Sequence, residues 1–231
     1  MNTPLVSIVV PAFNEAELIE GSLDAIVSYC ERNMLAYELI VVDDGSVDDT
    51  RSIARGFAAD RPNGTVLGLD TNLGLGGALR AGFARCHAPT VVTLDADLTY
   101  EPDHIGRLVS ACAASTAVVI ASPYAEGGRV SGVPRHRLVL SKWANRMLQR
   151  RTGLSTSTAM VRAYDREFLA AALAGVEDRD LSLGLLRAAR DAGHTIVEIP
   201  AHLDWTRVPD RQSRLRVRDT VAAVLRALRA G

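Results

Sequence analysis

Of the 26 lysine and arginine residues, only Lys142 is a lysine, and alongside the abundant alanine this reads as coding bias rather than chemistry. Net charge is also nearly absent, −1 at neutral pH, so no global field points to a nucleic-acid partner. Three cysteines (Cys30, Cys86, Cys112) lie far apart with no C-x-x-C. They cannot pair fully and fit no zinc spacing, which favours a reducing cytoplasm. No apolar run approaches the ~20 residues that span a membrane. The run at 5–10 is too short for a signal segment and lacks a basic flank. The expectation is a cytoplasmic chain, at most peripheral at the inner face of a membrane.

What is present is an ordinary globular composition, 48% hydrophobic and 23% charged over 231 residues. That length suits one domain with a sizeable core. Short β-branched runs at 5–10, 37–42, 65–69 and 90–94 alternate with helical patterns at 15–31, 48–59 and roughly 79–86. Such alternation predicts an α/β fold, a doubly wound and mostly parallel sheet built from right-handed crossovers. Ligands of these sheets bind beyond the carboxyl ends of the strands. The polar segments 11–15, 43–49 and 95–100 fall at those ends. After about residue 122 the pattern changes. A Gly/Pro-rich loop (122–134) leads to a basic helix (135–151), and a small polar loop (152–158) follows. Helices at 165–173 and 180–192, strands at 195–199 and 202–205, and an amphipathic C-terminal helix at 215–229 complete the reading. One domain is expected, with a first half (1–121) and a smaller second half (122–231).

Asp95-Ala96-Asp97 follows the run Val91-Val92-Thr93-Leu94. In an extended chain, alternation would set both carboxylates on one side. Two oxygen ligands leave most of an octahedral shell for water and phosphate, as Mg²⁺ or Mn²⁺ prefers on a nucleotide. A strand-ending loop with two solvated acids would carry the same letters. Asp43-Asp44-Gly45-Ser46 ends the second strand, where an acid can accept from a base or ribose. Ser46 or Asp48 could equally cap the following helix. Asn72-Leu73-Gly74-Leu75-Gly76-Gly77-Ala78-Leu79-Arg80 opens a helix after the third strand, and Gly76 suits close approach of backbone to a ligand.

Pro11-Ala12-Phe13-Asn14-Glu15, Asp43-Asp44-Gly45-Ser46, the Asn72-to-Arg80 turn and Leu94-Asp95-Ala96-Asp97 together resemble the four successive motifs of the family 2 inverting glycosyltransferases. The stretch 127–145 is similar to the polyprenyl- and dolichyl-phosphate mannose synthases within that family. The resemblance implies the GT-A fold, a UDP- or GDP-sugar donor and a divalent cation, with 1–121 as a nucleotide-sugar-binding half and 122–231 as an acceptor-side half. It implies that Pro11, Phe13 and Glu15 border the nucleotide, that Asp43 meets the base with Asp44 and Arg80 near it, and that Asp95, Ala96 and Asp97 meet the diphosphate and metal. Arg137, Ser141, Arg207 and Arg211 would face the acceptor or diphosphate.

Departures from the synthase pattern fall on the acceptor side: Pro123 replaces an arginine, Thr99 a glutamine and Gly184 a glutamate, and Asp210 to Arg214 carries an insertion. Two acceptors therefore stay open. A polyprenyl phosphate is already anionic and needs arginines but no base. A hydroxyl on a soluble acceptor needs a carboxylate, for which Asp178 is the candidate, although it could simply favour the start of the next helix. A nucleotidyltransferase is disfavoured because no Gly/Lys-rich loop follows the first strand. A non-catalytic nucleotide-sugar-binding module is the remaining rival.

Overall fold

The computed structural model describes residues 3–112, 116–207, 221–222 and 224–226. The chain forms β1 (Val6–Ala12), α1 (Ile19–Arg32), β2 (Tyr37–Asp43), α2 (Thr50–Ala59), β3 (Gly64–Gly68), α3 (Gly74–Phe83), β4 (Thr90–Thr93) and α4 (His104–Ala111). Then follow β5 (Thr116–Ser122), β6 (Arg129–Ser131), α5 (Arg135–Thr152), β7 (Arg162–Asp165), α6 (Arg166–Ala172), α7 (Leu181–Asp191), β8 (Thr195–Pro200) and β9 (His202–Asp204). Seven strands make one sheet in the order β3-β2-β1-β4-β7-β5-β8, parallel except for β7. A small parallel pair, β6 with β9, lies apart from it.

Both faces of the middle of this sheet are covered, which is why β1, β2, β4 and β5 carry continuous apolar runs. On β1, Val6, Ile8 and Val10 join the core beneath α1, α2 and α4, while Val9 joins the one beneath α3, α6 and α7. On α1, Ile19, Leu23, Ile26 and Cys30 recur at helical spacing and are all fully buried. Each such Leu or Ile contributes ~2 kcal/mol of transfer free energy.

The expected mostly parallel sheet is present, with elements within a few residues of the anticipated bounds. Two features differ. The chain at 162–165 is a strand, and it enters antiparallel between β4 and β5. The Gly/Pro-rich loop is also not free, because its β6 pairs with β9, and Gly132 turns at φ +71° against the backbone of Thr206. Of the C-terminal helix expected at 215–229, residues 221–222 and 224–226 are helical and the rest lie outside the described residues. Val224 packs on Ala144 and Leu148 of α5, and Arg226 pairs with Asp180 at 2.9 Å.

Candidate active site

The carboxyl ends of β1, β2 and β4 are adjacent, so the loops that leave them share one rim. Two of these loops are stitched together. Asn14, at φ +52°, donates its N–H to Ser46 Oγ (2.9 Å), and its Oδ1 accepts the N–H of Val47 (2.8 Å). The Glu15 N–H reaches Thr50 Oγ1 (2.6 Å) and the Ala16 N–H reaches Asp48 (3.2 Å). Ser46 and Asp48 therefore anchor the first loop, where capping alone had been one reading. Pro11 and Phe13 are half-buried on the same rim.

Asp43 is fully buried at the end of β2. Its Oδ2 accepts from Arg51 Nε at 2.7 Å, and Arg51 also donates to the Leu69 carbonyl. Its Oδ1 is buried without a partner, an unused acceptor of high desolvation cost. Asp44 instead serves the backbone: it accepts the Leu73 N–H at 2.8 Å and so holds the turn into α3. Burial nevertheless raises the Asp44 carboxyl above the usual carboxylate range.

Asp95 and Asp97 occupy a tight turn just past β4, rather than the extended alternation anticipated. The Leu98 N–H closes on the Asp95 carbonyl (3.2 Å) with Leu98 at φ +48°, and the Thr99 N–H bonds Asp97 Oδ1 (3.1 Å). Burial, and then the charge of Asp97, pushes the Asp95 carboxyl well up; burial raises Asp97 as well. Two half-buried acids that resist ionising side by side are what a divalent cation relieves. Among the described residues no third histidine, cysteine or acid completes a metal cluster. The remaining ligands would come from water and phosphate, which suits Mg²⁺ or Mn²⁺ on a diphosphate.

The raised carboxyls have a consequence for stability. A folded-state carboxyl pKa above the unfolded one means that the native state holds its proton more tightly. Its contribution is greatest at low pH and declines as pH rises from the ordinary carboxylate range towards neutrality. The metal-free protein should therefore gain more from Mn²⁺ plus a nucleoside diphosphate at pH 8 than at pH 5. With the ligand concentration fixed at a hundred times its Kd at pH 8, the gain there is ~2.7 kcal/mol, or roughly 5–10 °C in Tm, and smaller at pH 5. Equal gains at both pH values in thermal melts would rule this out.

Gly76, Arg80 and Asp178 meet one another. Arg80 Nε binds Asp178, and its terminal nitrogens bind the Leu173 carbonyl (2.7 Å) and the Val176 carbonyl. A Cβ at Gly76 would overlap the Asp178 carbonyl oxygen, so this glycine admits the turn Asp178–Asp180 onto α3. Arg80 is thus engaged with that turn, beside a cavity of about 490 Å³ that it lines with Asp178 and Arg179. A second cavity, of about 760 Å³, lies along α5 and α7 and is lined by none of the donor-motif residues.

Among the residues expected to face an acceptor, Arg137 sits 5.5 Å from the ring centre of Trp205. The Asp204 N–H next to that tryptophan bonds the Thr99 carbonyl (2.8 Å), two residues beyond Asp97. Ser141 accepts from the Tyr124 hydroxyl (3.0 Å). Arg207 closes a short 3-10 turn, and Arg211 lies outside the described residues. Sequence reasoning missed Arg51, Tyr124 and the buried Tyr100, whose nearness to Asp95 helps to raise its hydroxyl pKa beyond the effect of burial. The one legible hint was Arg51 on the first turn of the helix after Asp43.

The family model of glycosyl transferase family 2 matches residues 7–172. A protein of Sodalis glossinidius (strain morsitans), named undecaprenyl-phosphate 4-deoxy-4-formamido-L-arabinose transferase, is 36% identical over 181 residues, covering 75% of this chain and 54% of its own. Its namesake in Pseudomonas fluorescens (strain SBW25) is 32% identical over 219 residues, covering 92% and 61%. This chain therefore spans little more than half the length of those relatives. Among solved structures, glucosyl-3-phosphoglycerate synthase from Mycobacterium tuberculosis, with Mn²⁺, UDP and glucosyl-3-phosphoglycerate, aligns at TM-score 0.66 and 23% identity over 97% of this chain and 80% of that one. A mannosyltransferase from Pyrobaculum calidifontis with GDP-Man and Mn²⁺ aligns at 0.61 and 20% identity, covering 99% and 75%. These share its GT-A fold. With four motifs on one rim and a family match over most of its length, this chain belongs to glycosyl transferase family 2.

Proposed function

We propose that this chain transfers a hexose, with inversion, from a UDP- or GDP-sugar to a polyprenyl phosphate. The observation that carries the reading is the half-buried Asp95–Asp97 pair just past β4, on the same sheet rim as Asp43, whose buried Oδ1 has no partner. Asp43 would receive an N–H of the base, while Pro11, Phe13 and Glu15 border the nucleotide. Asp95 and Asp97 would hold Mg²⁺ or Mn²⁺, which supplies positive charge where the diphosphate leaves. An acceptor phosphate oxygen forms the new bond to the anomeric carbon, and the bond from that carbon to the diphosphate breaks with its electron pair going to the leaving group. Such an acceptor carries no proton to remove. Arg137 would hold it, with Ser141 and the arginines at 207 and 211 close by. The relatives' names, which contain undecaprenyl phosphate, support this acceptor. So does Arg80, which already engages the Asp178 carboxylate.

A hydroxyl acceptor would instead need Asp178 as base. The discriminating experiment measures transfer from a panel of UDP- and GDP-sugars to a short polyprenyl phosphate, with Mn²⁺ or with EDTA. Transfer should be EDTA-sensitive and should change less than about threefold in Asp178→Asn, which keeps a hydrogen-bond acceptor for Arg80. Transfer to a sugar or aglycone hydroxyl in place of the lipid, falling ~100-fold or more in that variant, the usual worth of a general base, would favour the hydroxyl reading. Failure of every donor to bind would favour the non-catalytic module.

A further inference from the structure

Asp43 ends β2 with Ala12 beside it on β1 and Gly68 beside it on β3. Its side chain is fully buried, and Arg51, on the first turn of α2, reaches it across Gly68. The guanidinium closes a fork. Nε donates to Asp43 Oδ2 at 2.7 Å, and Nη2 donates to the Leu69 carbonyl. Gly68 is what lets the fork close: a Cβ there would lie 2.8 Å from Nε and Cζ of Arg51, so the guanidinium would have to shift. The main chain around Asp43 is fixed as well. The Leu69 N–H bonds the Asp43 carbonyl (2.9 Å), and the Asp44 N–H bonds the Ala12 carbonyl (2.8 Å).

The backbone and one carboxylate oxygen are thus held, and the other oxygen is not. A strut between α2 and the ends of β2 and β3 would account for the ion pair. It gives no reason for an Oδ1 that is buried without a partner. A desolvated acceptor with no donor is costly, and a pair with only stability at stake would cover it with an N–H or leave it to water. An N–H brought by a ligand accounts for both oxygens. Arg51 supplies the counter-charge and, by using two donors of a rigid plane at once, sets the plane of the carboxylate. A lysine ammonium, a point charge on a flexible stem, would supply only the first.

We infer that Arg51 is a positioning residue for base recognition. It acts through Asp43 rather than on the nucleotide, holding Oδ2 so that Oδ1 is the acceptor offered to an N–H of the base. This rests on the proposed nucleotide-sugar donor. Its consequence is that only ligands carrying a base feel the loss of Arg51.

The test is calorimetric titration of the 231-residue chain, with Mn²⁺, by UDP, by GDP and by ribose 5-diphosphate, which keeps the sugar and diphosphate without a base. Arg51→Gln should weaken the tighter of UDP and GDP by ~10–100-fold, as removal of the outer partner of an oriented ligand group does, and ribose 5-diphosphate by less than about twofold. Arg51→Lys, which restores the charge but not the fork, should recover part of the loss. Gly68→Ala leaves Asp43 and Arg51 both in place, displaces the guanidinium, and should reproduce the base-dependent loss even where Arg51→Gln lowers the melting temperature. Proportional losses for the nucleotide and for ribose 5-diphosphate in both variants would make Arg51 a strut and overturn the inference. Nucleotide binding as tight as the parent's in both variants would overturn it too, while leaving the donor reading standing. Failure of the unaltered chain to bind either nucleotide would sink the donor reading and this inference with it.

Discussion

Asp97→Asn should lower transfer about a thousandfold while leaving the fold at least as stable as before. The two effects part because the acids work against the fold and for the chemistry. Burial raises both carboxyls, and the charge of Asp97 further disfavours ionising Asp95. Asparagine removes that repulsion and keeps an Oδ1 for the Thr99 N–H, so the turn at 95–99 survives. In the proposed role it would also remove one of two anionic ligands for the cation at the diphosphate. Losing charge stabilisation at a leaving group typically costs ~3–4 kcal/mol of barrier, hence the thousandfold. The measurement is kcat/KM alongside thermal melting in EDTA. Transfer within threefold of the parent would sink the metal assignment. A fall in Tm matching the fall in rate would make the role structural instead.

Arg162→Met should destabilise the fold by ~3–5 kcal/mol. Arg162 is fully buried, and its guanidinium donates to the carbonyls of Ala159 (2.8 Å), Ser157 (2.7 Å) and Ser182 (2.7 Å). No carboxylate appears among these partners, so the cation is held by backbone dipoles alone. Methionine keeps much of the volume and avoids burying charge, which favours the variant. It leaves three carbonyls without a donor, at ~1–3 kcal/mol each, and that cost wins. The same substitution loosens the 157–160 segment, whose Met160 carbonyl accepts from Thr93 Oγ1 at 2.6 Å, two residues before Asp95. Transfer should therefore fall as well. Urea denaturation measures the stability change; a loss under ~1 kcal/mol would mean that water replaces the guanidinium.

Why Arg162 escaped notice in the sequence is instructive. A strand that contains an arginine and ends in aspartate lacks the apolar run that betrayed β1, β2 and β4, and four residues are too few for alternation to register. Strands β1, β2 and β4 were legible because both of their faces are covered and each is followed by acids; β3, on the sheet edge, was legible by its short β-branched run between glycines. The candidate donor residues stood out for a related reason: they sit in short loops directly after those strands. Pairings over long separations were not. Nothing local marks Arg80 as the partner of Asp178, 98 residues away. Gly76 had suggested close approach to a ligand, yet the backbone it admits is the turn carrying Asp178. A glycine reports that something comes near without reporting what. Helix α5 was half legible: its basic character was plain, but only the packing of Ala144 and Leu148 fixes which side faces out.

The antiparallel β7 also bears on how the chain must be made. Strand β4, which carries Asp95 and Asp97 at its end, pairs with β1 on one side and with β7 on the other. As the polypeptide leaves the ribosome, that second edge stays open while α4, β5, β6 and α5 are synthesised. Until Arg162–Asp165 emerges, the strand bearing the candidate catalytic acids is a bare template for another chain. The nascent protein is thus most prone to misassociate just after its donor motifs are complete, and a ribosomal pause before residue 162 would prolong that exposure.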